Sequence, residues 1–114
     1  MSENLSASLP ESLKSLNTKH LFTMQLNVKP IVIIGQTPNG FKRASVVPGG
    51  VFDGDRLSGI VLDGGTDWQT VRPDNAVMLD VRLNLQTTEG DLISMAYQGI
   101  RAGAADVLQR INAG

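Results

Sequence analysis

The adjacent residues Asp67 and Trp68 are the foremost candidates in this chain for side chains that carry out chemistry. The pair follows Gly64-Gly65, so a strand is predicted to begin beside a bend, where side chains can be directed into a cavity. A carboxylate held against a large indole is partly desolvated and could take a proton from a substrate as a general base. The alternative is ordinary turn chemistry, in which Asp67 accepts hydrogen bonds from turn N–H groups and Trp68 fills the core.

A second carboxylate, Asp80, lies two residues before Arg82 in an alternating stretch. Residues i and i+2 of a strand share one face. On an interior face, Asp80 could be a catalytic carboxylate and Arg82 could bind a carboxylate or enolate oxygen. On an exterior face, the two would form a solvated pair contributing less than about 1 kcal/mol. The apolar residues that alternate with this pair are Leu79, Val81, Leu83 and Leu85. They must face an apolar layer, and the sequence leaves open whether that layer fills the interior of the fold.

Tyr97 and Arg101 share one parity on the following predicted strand. Tyr97 could donate a hydrogen bond to a substrate oxygen, and Arg101 could hold an anion. The alternative for Arg101 is a strand-end arginine paired with an aspartate or a backbone carbonyl. The predicted catalytic residues are therefore Asp67 and Asp80. The predicted substrate-binding residues are Trp68, Arg82, Tyr97 and Arg101.

Several other kinds of site are not predicted. The chain has no cysteine and one histidine, His20, so disulfides, thiolate catalysis and the usual zinc sites are excluded. Three aspartates in glycine turns do not match a calcium-binding loop; they are Asp53, Asp55 and Asp63. The serines lack a nucleophile elbow and a histidine partner, so a hydrolase triad is not expected. We predict neither a metal nor a cofactor.

The composition indicates one domain without an obvious nucleic-acid or membrane surface. The 114 residues include 10 Lys+Arg and 11 Asp+Glu, for a net charge of −1, and neither sign clusters. No apolar run approaches the roughly 20 residues of a membrane span, and the N-terminus does not resemble a signal peptide. We therefore predict a soluble, cytoplasmic domain over residues 20–114, preceded by an extension over residues 1–19.

The elements that would position the candidate residues are short strands. From Leu21 the pattern alternates, and one face is shared by Phe22, Met24, Leu26 and Val28. The run at residues 31–34 is predicted to be a strand buried on both faces, or on one face against a partner. Further strands are predicted at residues 43–47, 51–52, 56–62, 67–72, 77–87 and 92–100. Turns rich in glycine, asparagine and aspartate join them, which indicates an antiparallel sandwich or barrel, and a barrel hides its edges most completely.

Two helices are predicted at the ends of the chain. Ser8 and Glu11 have the spacing of a capping box, and leucines at helical spacing follow over residues 9–16. Residues 1–8 are polar and predicted to be disordered. Residues 104–111 have a helix-forming composition with apolar residues on one face.

Several linked motifs resemble those of the domain-of-unknown-function family 3237. They are GGVFDGDRLSGIVLDGGTDWQTVRPDN from Gly49, LDVRLNLQTTEGDLI from Leu79, and GIR from Gly99. Family members show GG-x-F-x-G-x-x-L-x-G, then GG-x-DW, a D-x-R strand and a T-x-(D/E)-G hairpin, in this order. The resemblance covers about residues 21 to 114.

The resemblance implies a small antiparallel β-barrel similar to the allene oxide cyclase and dirigent-like barrels, with a small-molecule pocket. Most family members are described only as conserved proteins, and a few have proposed cyclase or isomerase roles. Family chains commonly continue past the matched region, which leads us to expect an exposed sheet edge and a homo-oligomer. The family often has a histidine where this chain has Ala102, so no acid–base role is carried over there.

Taken together, these features predict a barrel that binds a small organic molecule and that could act as a cofactor-independent isomerase or cyclase. Two alternatives stay open, a non-catalytic ligand-binding barrel and a structural or oligomerisation module. The predicted partners are a small-molecule ligand and further copies of the chain.

Overall fold

A computed structural model describes the backbone of residues 4–113 and the side chains of residues 4–111. Eight strands and one α-helix follow two 3₁₀ turns, Leu5–Ser8 and Glu11–Leu13. The strands are β1 Thr23–Asn27, β2 Val32–Thr37, β3 Gly40–Val47, β4 Gly49–Asp53, β5 Gly59–Val61, β6 Gly65–Val71, β7 Val77–Thr87 and β8 Leu92–Arg101. The helix is α1 Ala105–Ala113. The part of the predicted disorder that falls on residues 1–3 lies outside the described residues.

Strand β7 is the centre of a single antiparallel sheet. One of its edges pairs with β8 along nearly its whole length. The other edge pairs with β6 over Val77 to Arg82 and with β5 over Leu85 to Thr87. The sheet continues from β5 to β4 and β1, and from β6 to β3 and β2. The predicted antiparallel β fold is confirmed, and within residues 4–113 the sheet is not closed into a complete barrel.

The hydrophobic core lies on one face of this sheet, which we call the inner face. Strand β7 alternates as predicted, with Val81, Leu83 and Leu85 buried and Arg82 and Asn84 exposed. These three residues pack with residues from β3, β4 and β5, namely Val47, Phe52 and Val61. Since side chains alternate across a strand, the same register assigns residues of the neighbouring strands to the inner or the opposite, outer face.

Glycines let strands approach closely in the glycine-rich region around β5. A Cβ atom at Gly59 would overlap the carbonyl oxygen of Gln86 on β7. One at Gly65 would lie 2.6 Å from Cδ2 of Leu83. These glycines are therefore required by packing between β5, β6 and β7, and not only by turns.

Two predictions about the N-terminal half are wrong. The apolar run at residues 31–34 is exposed, because β2 lies at the sheet edge and pairs only with β3 among the described strands. The predicted helix over residues 9–16 is replaced by one 3₁₀ turn, Glu11–Leu13, and the other turn, Leu5–Ser8, precedes it. The Ser8 hydroxyl donates to the Leu5 carbonyl at 2.8 Å instead of capping a helix, and Glu11 pairs with Lys14.

The C-terminal helix is confirmed as α1, with Leu108 buried. Within the part of the chain that the structure describes, no helix is both long and apolar enough to cross a membrane.

Candidate ligand site on the inner face

The strand register places polar residues of four strands in adjacent rows on the inner face. The first row contains Ser45, Asp67, Val81 and Tyr97. The second row contains Arg43, Gln69, Leu79 and Gly99. The third row contains Phe41, Val71, Val77 and Arg101. The polar members of these rows lie beside the apolar core. Apart from Ser45, we call them the inner polar cluster: Arg43, Asp67, Gln69, Tyr97 and Arg101.

Gln69 links a cation to a carboxylate within this cluster. Its side chain is only 4% exposed. Arg43 Nε donates to Gln69 Oε1 at 2.5 Å, and Gln69 Nε2 donates to Asp67 Oδ2 at 2.9 Å. An amide has one accepting end and one donating end, so the cation and the carboxylate fix its orientation. Gln69 thereby holds the Asp67 side chain in place.

The second carboxylate oxygen of Asp67 is the chemically distinctive atom of the cluster. Asp67 Oδ1 is buried and accepts no hydrogen bond within the described part of the protein. Leaving a buried acceptor unsatisfied costs about 1–3 kcal/mol, and more for a charged group. This oxygen is therefore an acceptor that the described residues leave without a donor.

Electrostatic interactions connect the remaining members of the cluster. Burial lowers the pKa of the Arg43 guanidinium, repulsion from Arg101 lowers it further, and the Asp67 charge partly raises it. Burial and then the Asp67 charge raise the pKa of the Tyr97 phenol. At neutral pH an arginine stays a cation, and Tyr97 stays a neutral hydrogen-bond donor. The cluster thus combines an acceptor carboxylate, a phenol donor and guanidinium groups.

A cavity of about 300 Å³ adjoins the cluster beneath helix α1. Arg43 forms part of its wall, as do the apolar side chains of Val71, Val77 and Leu108. Asn75 and Gln109 also line it, so Arg43 is shared between the polar cluster and a partly open cavity of mixed polarity.

The outer face holds the remaining predicted residues. Trp68 is 51% exposed and does not fill the core; its cross-strand partner is Asp80. Both line an open groove of about 390 Å³, and Arg82 is exposed on the same face. Adjacent residues of a strand point to opposite faces, so Asp67 and Trp68 do not share a cavity. The structure therefore brings Asp67, Tyr97 and Arg101 together, and it separates them from the other three predicted residues.

Sequence reasoning missed Arg43 and Gln69. Gln69 lies two residues after Asp67 on a predicted strand, so the two side chains are expected on the same face. This spacing could have identified Gln69 from the sequence. Arg43 had no comparable signal, because only the pairing of β3 with β6 places it opposite Gln69.

The protein is therefore a β-barrel-like protein with an antiparallel sheet that is not closed among the described strands and a candidate ligand site on the inner face of that sheet. The chain belongs to the DUF3237 family: the model of this family, described as a protein of unknown function, matches residues 16–114.

Curated relatives carry the family name UPF0311. A UPF0311 protein of Bradyrhizobium diazoefficiens is 32% identical over 100 residues, which make up 88% of this chain and 65% of that protein. A UPF0311 protein of Rhodopseudomonas palustris strain TIE-1 is 30% identical over 100 residues, again 88% of this chain and 65% of that protein. The chain thus spans about 65% of the length of these relatives.

Solved structures show the same fold. A conserved protein of unknown function from Rhodopseudomonas palustris has a TM-score of 0.82 and 29% identity, over 88% of this chain and 66% of that one. A protein described as β-barrel-like from Acinetobacter baumannii has a TM-score of 0.64 and 27% identity, over 86% and 68% of the two chains. These likenesses support the fold and name no reaction.

Proposed function

We propose that the inner face binds a small organic molecule and that Asp67 moves a proton on it, as in a cofactor-independent isomerase or cyclase. The observation that carries this proposal is Asp67 Oδ1, a buried acceptor without a hydrogen-bond donor among the described residues. A relay through Gln69 holds it in place, and a phenol with a raised pKa lies within its electrostatic reach. A positioned carboxylate beside hydrogen-bond donors is the arrangement that general-base chemistry requires.

The proposed step begins with Asp67 Oδ1 taking a proton from a carbon next to a carbonyl group. The C–H electron pair becomes part of an enolate, whose oxygen accepts hydrogen bonds from the Tyr97 phenol or an arginine. In an isomerase, Asp67 returns the proton to a different carbon. In a cyclase, the enolate carbon attacks an electrophilic carbon of the same molecule, and the proton goes to the atom that gains the negative charge. Either product keeps all the atoms of the substrate and restores the carboxylate.

Asp67→Asn tests the proposal, because the amide cannot accept the proton. We expect protein-catalysed deuterium exchange at the α-carbon of a panel of cyclic ketones, followed by NMR in heavy water, to fall roughly 10²- to 10⁴-fold. Asp80→Asn makes the same change on the outer face and should leave the exchange rate unaltered. Unchanged exchange in folded Asp67→Asn would remove Asp67 as the base. Ligand binding without any exchange would instead favour a non-catalytic binding barrel.

Self-association is a second candidate function, favoured by the exposed apolar edge at β2. Val32, Ile33 and Ile34 are 57%, 68% and 53% exposed on a strand with one paired edge in the described sheet. Exposed apolar sheet edges are sites where another chain can pair. We therefore retain a homo-oligomer in the proposal, and the mass of the protein in solution tests it.

The near balance of charges does not favour nucleic acid or a membrane surface as a partner. A cytoplasmic location is also part of the proposal, and fractionation of cells that express the tagged protein would check it.

A further inference from the structure

The charged side chains of the inner face have a net positive charge. Among the strand residues that the structure describes, those with charged side chains on this face are Arg43, Asp67 and Arg101. Two guanidiniums and one carboxylate give a formal charge of +1. The whole chain has a net charge of −1, so this face is opposite in sign to the molecule.

The three charges are close enough to act on one another. Repulsion from Arg101 and attraction from Asp67 both reach the Arg43 guanidinium. Asp67 is already bound through one oxygen to Gln69. An anionic oxygen that entered between the guanidiniums would be attracted by both and would offset their mutual repulsion.

The surroundings of the cluster include apolar side chains as well as the polar Asn75 and Gln109. Leu79 lies in the row between Gln69 and Gly99, and Gly99 places no side chain over it. The adjoining cavity of about 300 Å³ is walled by Val77 and Leu108 as well as Arg43. Its volume lies at the lower end of the range that holds small organic ligands.

We propose that the ligand of the inner face is a small organic anion. Its anionic oxygen lies between Arg43 and Arg101, and its carbon skeleton packs against Val77 and Leu108 beneath helix α1. This inference rests on the proposed function and assigns the chemical class of its ligand.

Matched neutral and anionic probes test the charge requirement. Benzoate is compared with benzamide, and hexanoate with hexanamide, by titrating each into ¹⁵N-labelled full-length chain and following the backbone amide signals. We expect each carboxylate to shift the signals of β6, β8 and α1 and to bind about tenfold more tightly than its amide. Arg43→Gln and Arg101→Gln should each weaken carboxylate binding by about the same factor.

Lys42→Gln is the matched control, since it removes one positive charge from the neighbouring position on the outer face of β3. It should leave carboxylate binding unchanged. Equal affinity for carboxylates and amides at the inner face would overturn the anion inference and leave the proposed binding function intact. An equal loss in Lys42→Gln, or no loss in folded Arg101→Gln, would also overturn it. If neither member of a pair shifts inner-face signals, both the inference and the proposed pocket fail.

Discussion

At the scale of single residues, Asp67 and Asp80 differ in their neighbours rather than in their chemistry. Asp67 lies on the inner face, where Gln69 binds one of its oxygens and the other is buried. Asp80 lies on the outer face in an open groove with Trp68. A fixed carboxylate with one unsatisfied oxygen can act as a base. A carboxylate in an open groove is instead hydrogen-bonded by water and is not held in one position.

The titration of Tyr97 reports directly on Asp67, because Tyr97 is the only tyrosine of the chain. Its pKa is raised by burial and by the Asp67 charge, above the usual value of about 10. We expect the phenolate absorbance of Asp67→Asn to rise at a lower pH than in the parent protein, while the effect of burial persists. Asp80→Asn should titrate like the parent.

The sign of the linked stability change follows from the raised pKa of Tyr97. Its contribution to stability is complete below a pH of about 10 and is lost as the pH rises through the folded-state pKa. An identical titration of Asp67→Asn and the parent would show that the Asp67 charge does not act on Tyr97.

At the scale of elements, the strands were more predictable than their environments. Strict alternation from Leu79 to Leu85 predicted both the extent of β7 and its apolar face, because a period of two is a local property. The unbroken apolar run at residues 31–34 predicted a strand correctly and its burial wrongly. Burial depends on which strands lie alongside, and β2 has one neighbour in the described sheet.

Gly59→Ala tests the close packing of β5 against β7. The added methyl group would overlap the Gln86 carbonyl oxygen, and backbone cannot move aside as a flexible side chain can. We expect a loss of about 1–3 kcal/mol in the free energy of unfolding, as for other overpacked sites. Urea denaturation followed by circular dichroism measures it.

Gly103→Ala is the control for this substitution, because among the described residues no atom beyond its two chain neighbours lies within 4 Å of its Cβ position. It should change the free energy of unfolding by less than about 0.5 kcal/mol. Equal stability of the two variants would show that β5 and β7 can separate at no cost.

At the scale of the whole molecule, the sheet is open and extended. The radius of gyration is 19.1 Å, against about 13 Å for a compact domain of around 100 residues. Strands β1, β2 and β8 each have one paired edge in the described sheet. Unpaired edges expose backbone N–H and C=O groups that another strand can satisfy.

Ile33→Lys tests self-association through β2. A charge on an exposed edge strand opposes pairing with a second chain, so we expect a larger monomer fraction than in the parent protein by sedimentation equilibrium. Ile60→Lys places the same charge on β5, which pairs on both sides with β4 and β7, and should not change the oligomeric state. A parent protein that stays monomeric at high concentration would contradict self-association by any route.

The sequence alone determined the antiparallel β class, the main strands, the C-terminal helix and the family, because alternation, turn residues and motif spacing are local features. It also placed Tyr97 and Arg101 on one face of a strand. Only the tertiary structure decided that Asp67 joins them, that Trp68 and Asp80 face away, and that Arg43 and Gln69 complete the cluster. The physical reason is register: pairing between β3, β6, β7 and β8 aligns residues far apart in sequence, and the pattern within one strand does not specify its partner in the next.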